Sequence, residues 1–326
     1  MAVTHRFVDT NGIRLHCAVD GDGPLVVFLH GFPDCWYSWR HQLAALAPHF
    51  RVVAPDLRGY NESDKPEGVD AYAMPVLIDD VAGLIRACGE REAIIVGHDW
   101  GGAIAWAFAM ERPEMTRRLV VLNSPHPAIF QQHLTSNSRQ MLKSWYILFF
   151  QLPWLPETLL GANHAAAIGN AFRSSAVNRT AFSDDDIRIL RDAAAKPGAL
   201  HSALNYYRAA VRAPDVVDNL PDWLRRFWLG ERAAPTTPPR RTLANWPKIP
   251  CPTLLIWGEQ DIALRKEVTY GMEPLFTGPF RIQYVADSGH WVHQEQAVAV
   301  NQYLLEFLGD LLPADAVAPA PSPAAS

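Results

Sequence analysis

The sequence has few cysteines and no excess of positive charge. Its 326 residues include four cysteines, which are widely spaced and form no CxxC pair. This usage predicts free thiols in a reducing cytoplasm and suggests no metal site. Lysine and arginine total 29 against 34 aspartate and glutamate residues, a formal net charge of −5. The chain therefore lacks the basic footprint of a nucleic-acid-binding protein.

Long apolar runs are also missing. No stretch reaches the roughly 18 consecutive apolar residues of a membrane-spanning helix. The N-terminal stretch MAVTHRFVDTNG lacks the apolar core of a signal peptide. We therefore expect a cytoplasmic protein with no membrane span. Abundant alanine, and arginine in excess of lysine, favour a bacterial source with a GC-rich genome.

Strand-like and helix-like segments alternate over the first 124 residues. Apolar, β-branched runs such as PLVVFLHG, RVVAPD, AIIVG and RLVVLN are separated by segments with helical spacing. This alternation predicts an α/β fold, with a mostly parallel, doubly wound sheet covered by helices on both faces. Near the start, Asn11-Gly12 lies between two strand-like runs and predicts a hairpin.

From about Pro125 to Trp246 the pattern becomes helical and aromatic-rich. The sheet pattern then resumes with the strands PTLLIWGEQD and RIQYVAD, a helix at LRKEVTYGMEPLF between them, and a last helix, AVAVNQYLLEFLGDLL. We expect one domain with an inserted helical cap. Its parts are residues 1–124 (core, first part), 125–246 (cap), 247–312 (core, second part) and 313–326, an Ala/Pro-rich disordered tail.

The segment IIVGHDWGGAIAW has the outline of a nucleophile elbow, in which a serine normally occupies a sharp strand-to-helix turn. Asp99 stands at the position of that serine. An aspartate before a helix often acts only as an N-cap. However, an N-cap does not need glycines on both sides, whereas Gly97 and Gly101 suit a tight, crowded turn, so we favour a nucleophile.

Two further residues complete a triad in the chain order nucleophile, acid, histidine. Asp261 follows the strand of LLIWGEQD, and His290 follows the strand that ends in YVADSG. The carboxyl ends of strands form the ligand crevice of an open α/β sheet, so all three side chains can converge there. The alternatives are a turn role for Asp261 and, for the histidine, His293.

The first buried strand ends in HGFP. In an elbow-type site the oxyanion hole uses the backbone N–H after the nucleophile and another from the loop after an early strand. These groups are the amides of Trp100 and Phe32. The alternative for Phe32-Pro33 is an ordinary turn with a buried aromatic side chain.

Five segments together resemble an epoxide hydrolase of the α/β-hydrolase superfamily. They are HGFPDCWYSWRHQL, DLRGYNESDKP, GHDWGGAIAW, PTLLIWGEQD and SGHWVHQEQ, and the resemblance spans about residues 5 to 310. One departure is Asn61, which stands where the family usually has glycine. Asparagine tolerates positive φ better than most residues, so we expect the loop to be preserved.

The resemblance also assigns two tyrosines in the cap. WYILFFQLP is similar to the family's first tyrosine motif and implies Tyr146. ALNYYRA is similar to the second and implies Tyr207, which directly precedes the arginine. Each tyrosine has packing in the cap as its alternative. Near Tyr146, four aromatic residues suggest a lipophilic substrate pocket or simply cap core: Trp145, Phe149, Phe150 and Trp154.

The implied reaction converts a lipophilic epoxide and water to a vicinal diol, with no metal or organic cofactor. Asp99 attacks a ring carbon and forms an ester. The tyrosines donate hydrogen bonds to the leaving oxygen, and His290, oriented by Asp261, activates water to hydrolyse the ester.

Three alternatives stay open. A haloalkane or haloacid dehalogenase shares the Asp–His–Asp triad, with Trp100 as a halide donor, but the tyrosine motifs argue against it. Phe32 also argues against a haloalkane dehalogenase, because those enzymes tend to carry Asn at this position. Trp100 argues against a fluoroacetate dehalogenase, because those enzymes tend to carry Arg there. A non-catalytic receptor or scaffold could use the same fold. A serine-type esterase would need the missing hydroxyl. The sequence leaves a homodimer open.

Overall fold

The central feature of the fold is one eight-stranded sheet with the spatial order β1-β2-β4-β3-β5-β6-β7-β8. The computed structural model describes residues 3–136, 145–213 and 243–312. The strands are β1 Thr4–Thr10, β2 Ile13–Asp20, β3 Leu25–Leu29, β4 Arg51–Pro55, β5 Ala93–His98, β6 Thr116–Leu122, β7 Thr253–Gly258 and β8 Phe280–Val285. The pairs β1–β2 and β2–β4 are antiparallel, and all other neighbouring pairs are parallel.

The central strands are buried on both faces. Along β3, Val27 and Leu29 belong to one apolar cluster, whereas Val26 and Phe28 belong to a second cluster on the opposite side. Strands buried in this way read as continuous apolar runs, as the sequence does here. The fold prediction of a mostly parallel α/β sheet is therefore confirmed.

Helices cover both faces of the sheet, and a further group of helices follows β6 in the chain. The helices are α1 Arg40–Leu46, α2 Met74–Ala87, α3 Trp100–Glu111, α4 Pro127–Ser136, α5 Trp145–Phe149, α6 Leu155–Ser175, α7 Asp184–Ala194, α8 Ala199–Val211, α9 Val292–Glu295 and α10 Ala297–Leu308. Helices α2 and α3 pack on the first apolar cluster, and α1 and α10 pack on the second. Among the described residues, none of these helices has both the length and the apolarity needed to cross a membrane.

Between β6 and β7, the described residues form the helices α4 to α8, the turns that join them and a short 3-10 turn at Leu243–Asn245. We keep the division into residues 1–124, 125–246 and 247–312 as a proposal. Within the proposed cap, residues 137–144 and 214–242 lie outside the described residues, as does the predicted tail at 313–326.

Two turns follow the sequence prediction. Thr10 pairs with Ile13 across a two-residue hairpin loop, in which Asn11 and Gly12 have φ of 45° and 75°. Both values are positive, as the type I′ turn of a tight hairpin requires. Asn61, at the family's glycine position, has φ of 40°. Its side-chain amide donates to the Asp56 carboxylate at 2.9 Å, so asparagine keeps the turn and adds a hydrogen bond.

The helix predicted for LRKEVTYGMEPLF is wrong. This segment forms two short 3-10 turns, Lys266–Thr269 and Glu273–Leu275. Gly271 between them adopts φ of 71°, a left-handed conformation that ends helical hydrogen bonding. The apolar spacing that suggested a helix is nonetheless used, because Val268, Met272 and Leu275 are buried.

Candidate active site

Asp99 occupies the sharp turn between β5 and α3. Its backbone has φ of 50° and ψ of −118°, an unusual conformation for a residue other than glycine. A Cβ atom at position 101 would lie 2.0 Å from the Leu29 carbonyl oxygen, and one at position 97 would lie 2.3 Å from the Gly101 carbonyl oxygen. The two flanking glycines are therefore required by close backbone contacts. Strained backbone of this kind is concentrated at functional sites.

A backbone N–H group faces the Asp99 carboxylate from the loop after β3. The amide of Phe32 donates to Asp99 Oδ1 at 2.8 Å. Trp100 is the first residue of α3, so its N–H has no acceptor within the helix. The same helix N-terminus carries partial positive charge, which favours an anion beside it. Of the two amides of the predicted oxyanion hole, that of Phe32 contacts the carboxylate, and that of Trp100 directly follows Asp99 in the chain.

His290 bridges the two aspartates of the predicted triad. Its Nδ1 lies 2.7 Å from Asp261 Oδ2, and its Nε2 lies 3.6 Å from Asp99 Oδ2. The side chains of His290 and Asp261 are buried. The alternative His293 makes neither of these contacts. Its ring packs in tilted arrangements against Trp39 and His98, with centroid distances of 4.5 and 4.4 Å.

The charges of the triad stabilise one another. Burial lowers the pKa of His290, but the Asp261 carboxylate, and then Asp99, raise it by more, to about 10. Burial raises the pKa of Asp99, but the facing His290 ring lowers it by more, so the carboxyl is more acidic than usual. At neutral pH the site therefore holds an imidazolium between two carboxylates.

Asn123, at the end of β6, is a site residue that the motifs do not identify. Its side-chain amide donates to Asp261 Oδ2 at 2.8 Å, the oxygen that also faces His290. The amides of Ala263 and Leu264 donate to Asp261 Oδ1 at 2.8 and 2.9 Å. Asp261 is thus held on both oxygens. The sequence feature that could have identified Asn123 is its position, since it is a polar residue at the carboxyl end of a buried strand.

The two predicted tyrosines lie together above the elbow. The Tyr207 ring is edge-on to Trp100 at 5.0 Å and to Phe32 at 5.4 Å. The ring centroids of Tyr146 and Tyr207 are 5.9 Å apart. The neighbouring Tyr206 has a structural partner instead, since its hydroxyl donates to the Arg58 carbonyl at 2.7 Å. Tyr207 is therefore the member of the pair that faces the site.

Burial keeps both tyrosines protonated. It raises the pKa of Tyr146 and Tyr207 well above the ordinary value, and the Asp99 carboxylate raises both further. Each phenol is therefore protonated at neutral pH and can donate a hydrogen bond.

The α/β hydrolase fold family model matches residues 24–297 of this chain. Epoxide hydrolase 3 of Mus musculus is 35% identical over 308 residues, which cover 94% of this chain and 76% of that protein. The chain belongs to the epoxide hydrolases of the α/β-hydrolase fold family.

Two other relatives extend this comparison. The AB hydrolase superfamily protein YfhM of Bacillus subtilis is 40% identical over 307 residues, covering 93% of this chain and 97% of that protein. The crystal structure of the Bacillus megaterium epoxide hydrolase in complex with an inhibitor superposes with a TM-score of 0.80 at 29% identity. That alignment covers 93% of this chain and all of the Bacillus megaterium chain.

The four predicted pocket aromatics of this α/β hydrolase differ in position. Phe150 is buried, and its ring lies 4.9 Å from Tyr207 and 5.5 Å from Phe32. Phe149 is partly buried against the same cluster. Trp145 and Trp154 are 63% and 72% exposed. Only the two phenylalanines are therefore packed beside the site.

A second group of buried polar side chains lies behind His290. Ligand atoms of Asp34, His98 and His293 all lie within 4.8 Å of one another. His98 Nε2 donates to the His290 carbonyl at 2.8 Å, so its Nδ1 is left as an acceptor toward the cluster. One carboxylate and two imidazoles are a donor set that suits a transition-metal cation. None of these three side chains contacts the Asp99 carboxylate in the described hydrogen bonds, and no step of the reaction below uses them.

Proposed function

We propose that this epoxide hydrolase converts a lipophilic epoxide to a vicinal diol through a covalent ester on Asp99. The observation that carries the proposal is the Asp99 carboxylate itself. It occupies the elbow, with Oδ1 held by the Phe32 amide and Oδ2 facing His290. Relatives named epoxide hydrolases support the choice of electrophile.

In the first step, Asp99 attacks one carbon of the epoxide ring. The lowered pKa of Asp99 keeps it ionised, so the attack needs no general base. A carbon–oxygen bond forms to the carboxylate and the ring carbon–oxygen bond breaks. The released alkoxide takes a proton from Tyr146 or Tyr207, which lie beside the elbow, stay protonated until ring opening because their pKa is raised, and are still more acidic than an alcohol.

Ester formation prepares His290 for the second step. In the resting site, Asp261 and Asp99 hold a proton on His290 by raising its pKa. The ester removes the charge of Asp99, so the pKa of His290 falls and its proton restores the tyrosine through solvent. The neutral imidazole, oriented by Asp261 at 2.7 Å, can then accept a proton from water.

Water attacks the carbonyl carbon of the ester and not the substrate. The amides of Phe32 and Trp100 stabilise the tetrahedral oxyanion. Collapse of the tetrahedral intermediate breaks the bond between the acyl carbon and the diol oxygen. The departing diol oxygen takes the second proton of the attacking water, and Asp99 returns as a carboxylate. One water is consumed for each diol released, and His290 regains its resting proton.

The aromatic surroundings favour a lipophilic, aryl-bearing substrate. We assign Phe149 and Phe150 to the pocket, because they pack beside Tyr207, and we assign the exposed Trp145 and Trp154 to the outer surface. A mutant of the Bacillus megaterium enzyme, 28% identical, is complexed with its product (R)-3-[1]naphthyloxy-propane-1,2-diol. Cytoplasmic location, a bacterial source and a homodimer stay predictions from the sequence.

A panel of aryl, aliphatic and fatty-acid epoxides, scored for diol, tests the proposal. We expect the highest turnover with aryl epoxides, and less than about 1% of parental activity in Asp99→Ala, because the nucleophile is removed. Haloalkanes and haloacids are assayed for halide release in parallel. Halide release without diol formation would favour the dehalogenase alternative, and neither product would favour a non-catalytic receptor.

A further inference from the structure

Glu295, the last residue of α9, is a buried carboxylate outside the triad. It is 4% exposed, and three backbone amides donate to it. Its Oε2 accepts from Val177 at 2.7 Å and from Asn178 at 3.1 Å, and its Oε1 accepts from Gly289 at 3.1 Å. These N–H donors offset part of the desolvation of the charge, although burial still raises the pKa of Glu295 above its ordinary value.

These amides belong to two distant parts of the chain. Gly289 immediately precedes His290, so the position of its peptide determines the position of the His290 backbone and hence of the imidazole. Val177 and Asn178 form the link between α6 and α7 in the helical segment that follows β6. Glu295 therefore joins the histidine loop to that segment through a single side chain.

Neighbouring contacts reinforce the same junction. The Asn178 side chain donates to the Glu295 carbonyl at 3.2 Å. The Trp291 indole donates to Ser175 Oγ at 2.7 Å, and its ring lies 4.4 Å from Phe172 of α6. The residues on both sides of His290 are thus held against the helical segment.

The junction requires a carboxylate. Both oxygens of Glu295 accept N–H groups from opposite sides. A glutamine of the same shape can present only one acceptor oxygen, and its NH₂ group would then face an N–H donor. A buried donor left unpaired in this way is unfavourable, so the substitution should loosen the junction.

We infer that Glu295 is a positioning residue for His290, which holds the histidine loop against the helical segment so that the imidazole can activate water. This inference rests on the proposed two-step reaction. Only the second step uses His290 as a base, since Asp99 and the tyrosines carry out ring opening. Loosening the junction should therefore slow ester hydrolysis and spare ring opening.

Pre-steady-state kinetics with an aryl epoxide, read by intact-mass spectrometry, test the inference. In Glu295→Gln we expect ester hydrolysis to slow by about 10- to 100-fold, because misplacing a catalytic group by about 1 Å has effects of this size. Ring opening should stay within about threefold of the parent. As a result kcat and KM should fall together, kcat/KM should be retained, and the ester on Asp99 should accumulate.

Two further variants keep the test decisive. Glu295→Asp retains the charge but is one methylene too short to reach both sets of amides. It should therefore show the same pattern with a smaller change. It replaces Glu295→Gln if that variant does not fold. The exposed Glu306→Gln is the matched control and should leave both steps unchanged. The burst amplitude gives the folded fraction, so that rates refer to active enzyme. Equal slowing of both steps, or no change in either, would overturn the positioning role.

His290→Gln separates this inference from the proposed function. The proposed reaction requires that this variant trap the ester. If it forms no ester, the proposed function itself fails. If it traps the ester while both Glu295 variants hydrolyse their ester at the parental rate, only the role of Glu295 fails.

Discussion

At the scale of the residue, a carboxylate in place of a hydroxyl at position 99 changes which bonds the site can break. A serine must lose its proton during attack and relies on histidine for this. Asp99 is ionised beforehand, because the His290 ring lowers its pKa. This leaves the histidine free for a separate step. The three charges of the triad therefore favour attack on saturated carbon followed by hydrolysis of an ester.

The tyrosine pair yields a prediction at this scale. Tyr146→Phe and Tyr207→Phe should each slow ring opening by about 100-fold, and the double variant should nearly stop it, because a donor to the leaving oxygen contributes about 2.7–4 kcal/mol at comparable oxyanion sites. Single-turnover rates of ester formation provide the measurement. Tyr206→Phe is the matched control, because its hydroxyl donates to the Arg58 carbonyl, and it should affect stability more than ring opening.

A double variant that opens epoxides at the parental rate would contradict the role of both tyrosines. Together with halide release from haloalkanes, that result would move the dehalogenase alternative ahead.

The site residues that belong to sequence motifs could be predicted, whereas those that act through long-range contacts could not. The elbow and the order of the strands identified Asp99, Asp261 and His290, and the structure brings these three together. Asn123 and Glu295 were missed. Asn123 contacts a residue 138 positions away, and Glu295 contacts one 118 positions away. Asn123 lies outside the quoted motifs, and Glu295 lies inside SGHWVHQEQ without a role that the motif assigns, so only the folded chain shows what the two residues contact.

At the scale of the element, the elbow depends on how closely three segments approach. Gly101 of α3 lies against the end of β3, where a Cβ atom would be 2.0 Å from the Leu29 carbonyl oxygen. Backbone atoms cannot rotate away as a side chain can. The shape of the turn is thus set by contacts between backbones, in addition to the unusual φ of Asp99.

Gly101→Ala should therefore destabilise the protein by about 3 kcal/mol, since overpacking at a rigid site has costs of this size. Urea unfolding followed by circular dichroism gives the change. Gly309→Ala is the matched control, because a Cβ atom there meets nothing within 4 Å and its φ is −58°. If both substitutions have the same small effect, the close approach at the elbow is not what requires glycine.

Secondary structure was predictable where apolar periodicity and turn chemistry agreed. The parallel strands and the hairpin at Asn11-Gly12 follow their signals. The segment from Lys266 to Leu275 does not, because Gly271 ends the helical conformation while the apolar residues around it are still buried. Periodicity reports which side chains are buried, and a single glycine decides whether the backbone between them is helical.

At the scale of the whole molecule, polar contacts attach the helical segment to the sheet region at several places. Asp186 of α7 receives a hydrogen bond from the Tyr37 hydroxyl at 2.9 Å and lies 3.1 Å from the Arg40 guanidinium. Tyr206 of α8 donates to Arg58, and Glu295 accepts from Val177. The Tyr206 contact fixes α8, and with it the neighbouring Tyr207, against the sheet region. The site therefore depends on both parts of the molecule.

The central claim is that Asp99 attacks carbon and that water attacks the resulting ester. It is tested most directly by a single turnover in ¹⁸O-water with enzyme in excess over an aryl epoxide. One carboxylate oxygen then becomes a diol oxygen, and the oxygen of water stays on Asp99. We expect unlabelled diol and one ¹⁸O in the peptide that contains Asp99, measured by mass spectrometry after digestion. Labelled diol from the first turnover, with unlabelled Asp99, would contradict it and would indicate direct attack by water with Asp99 as a general base.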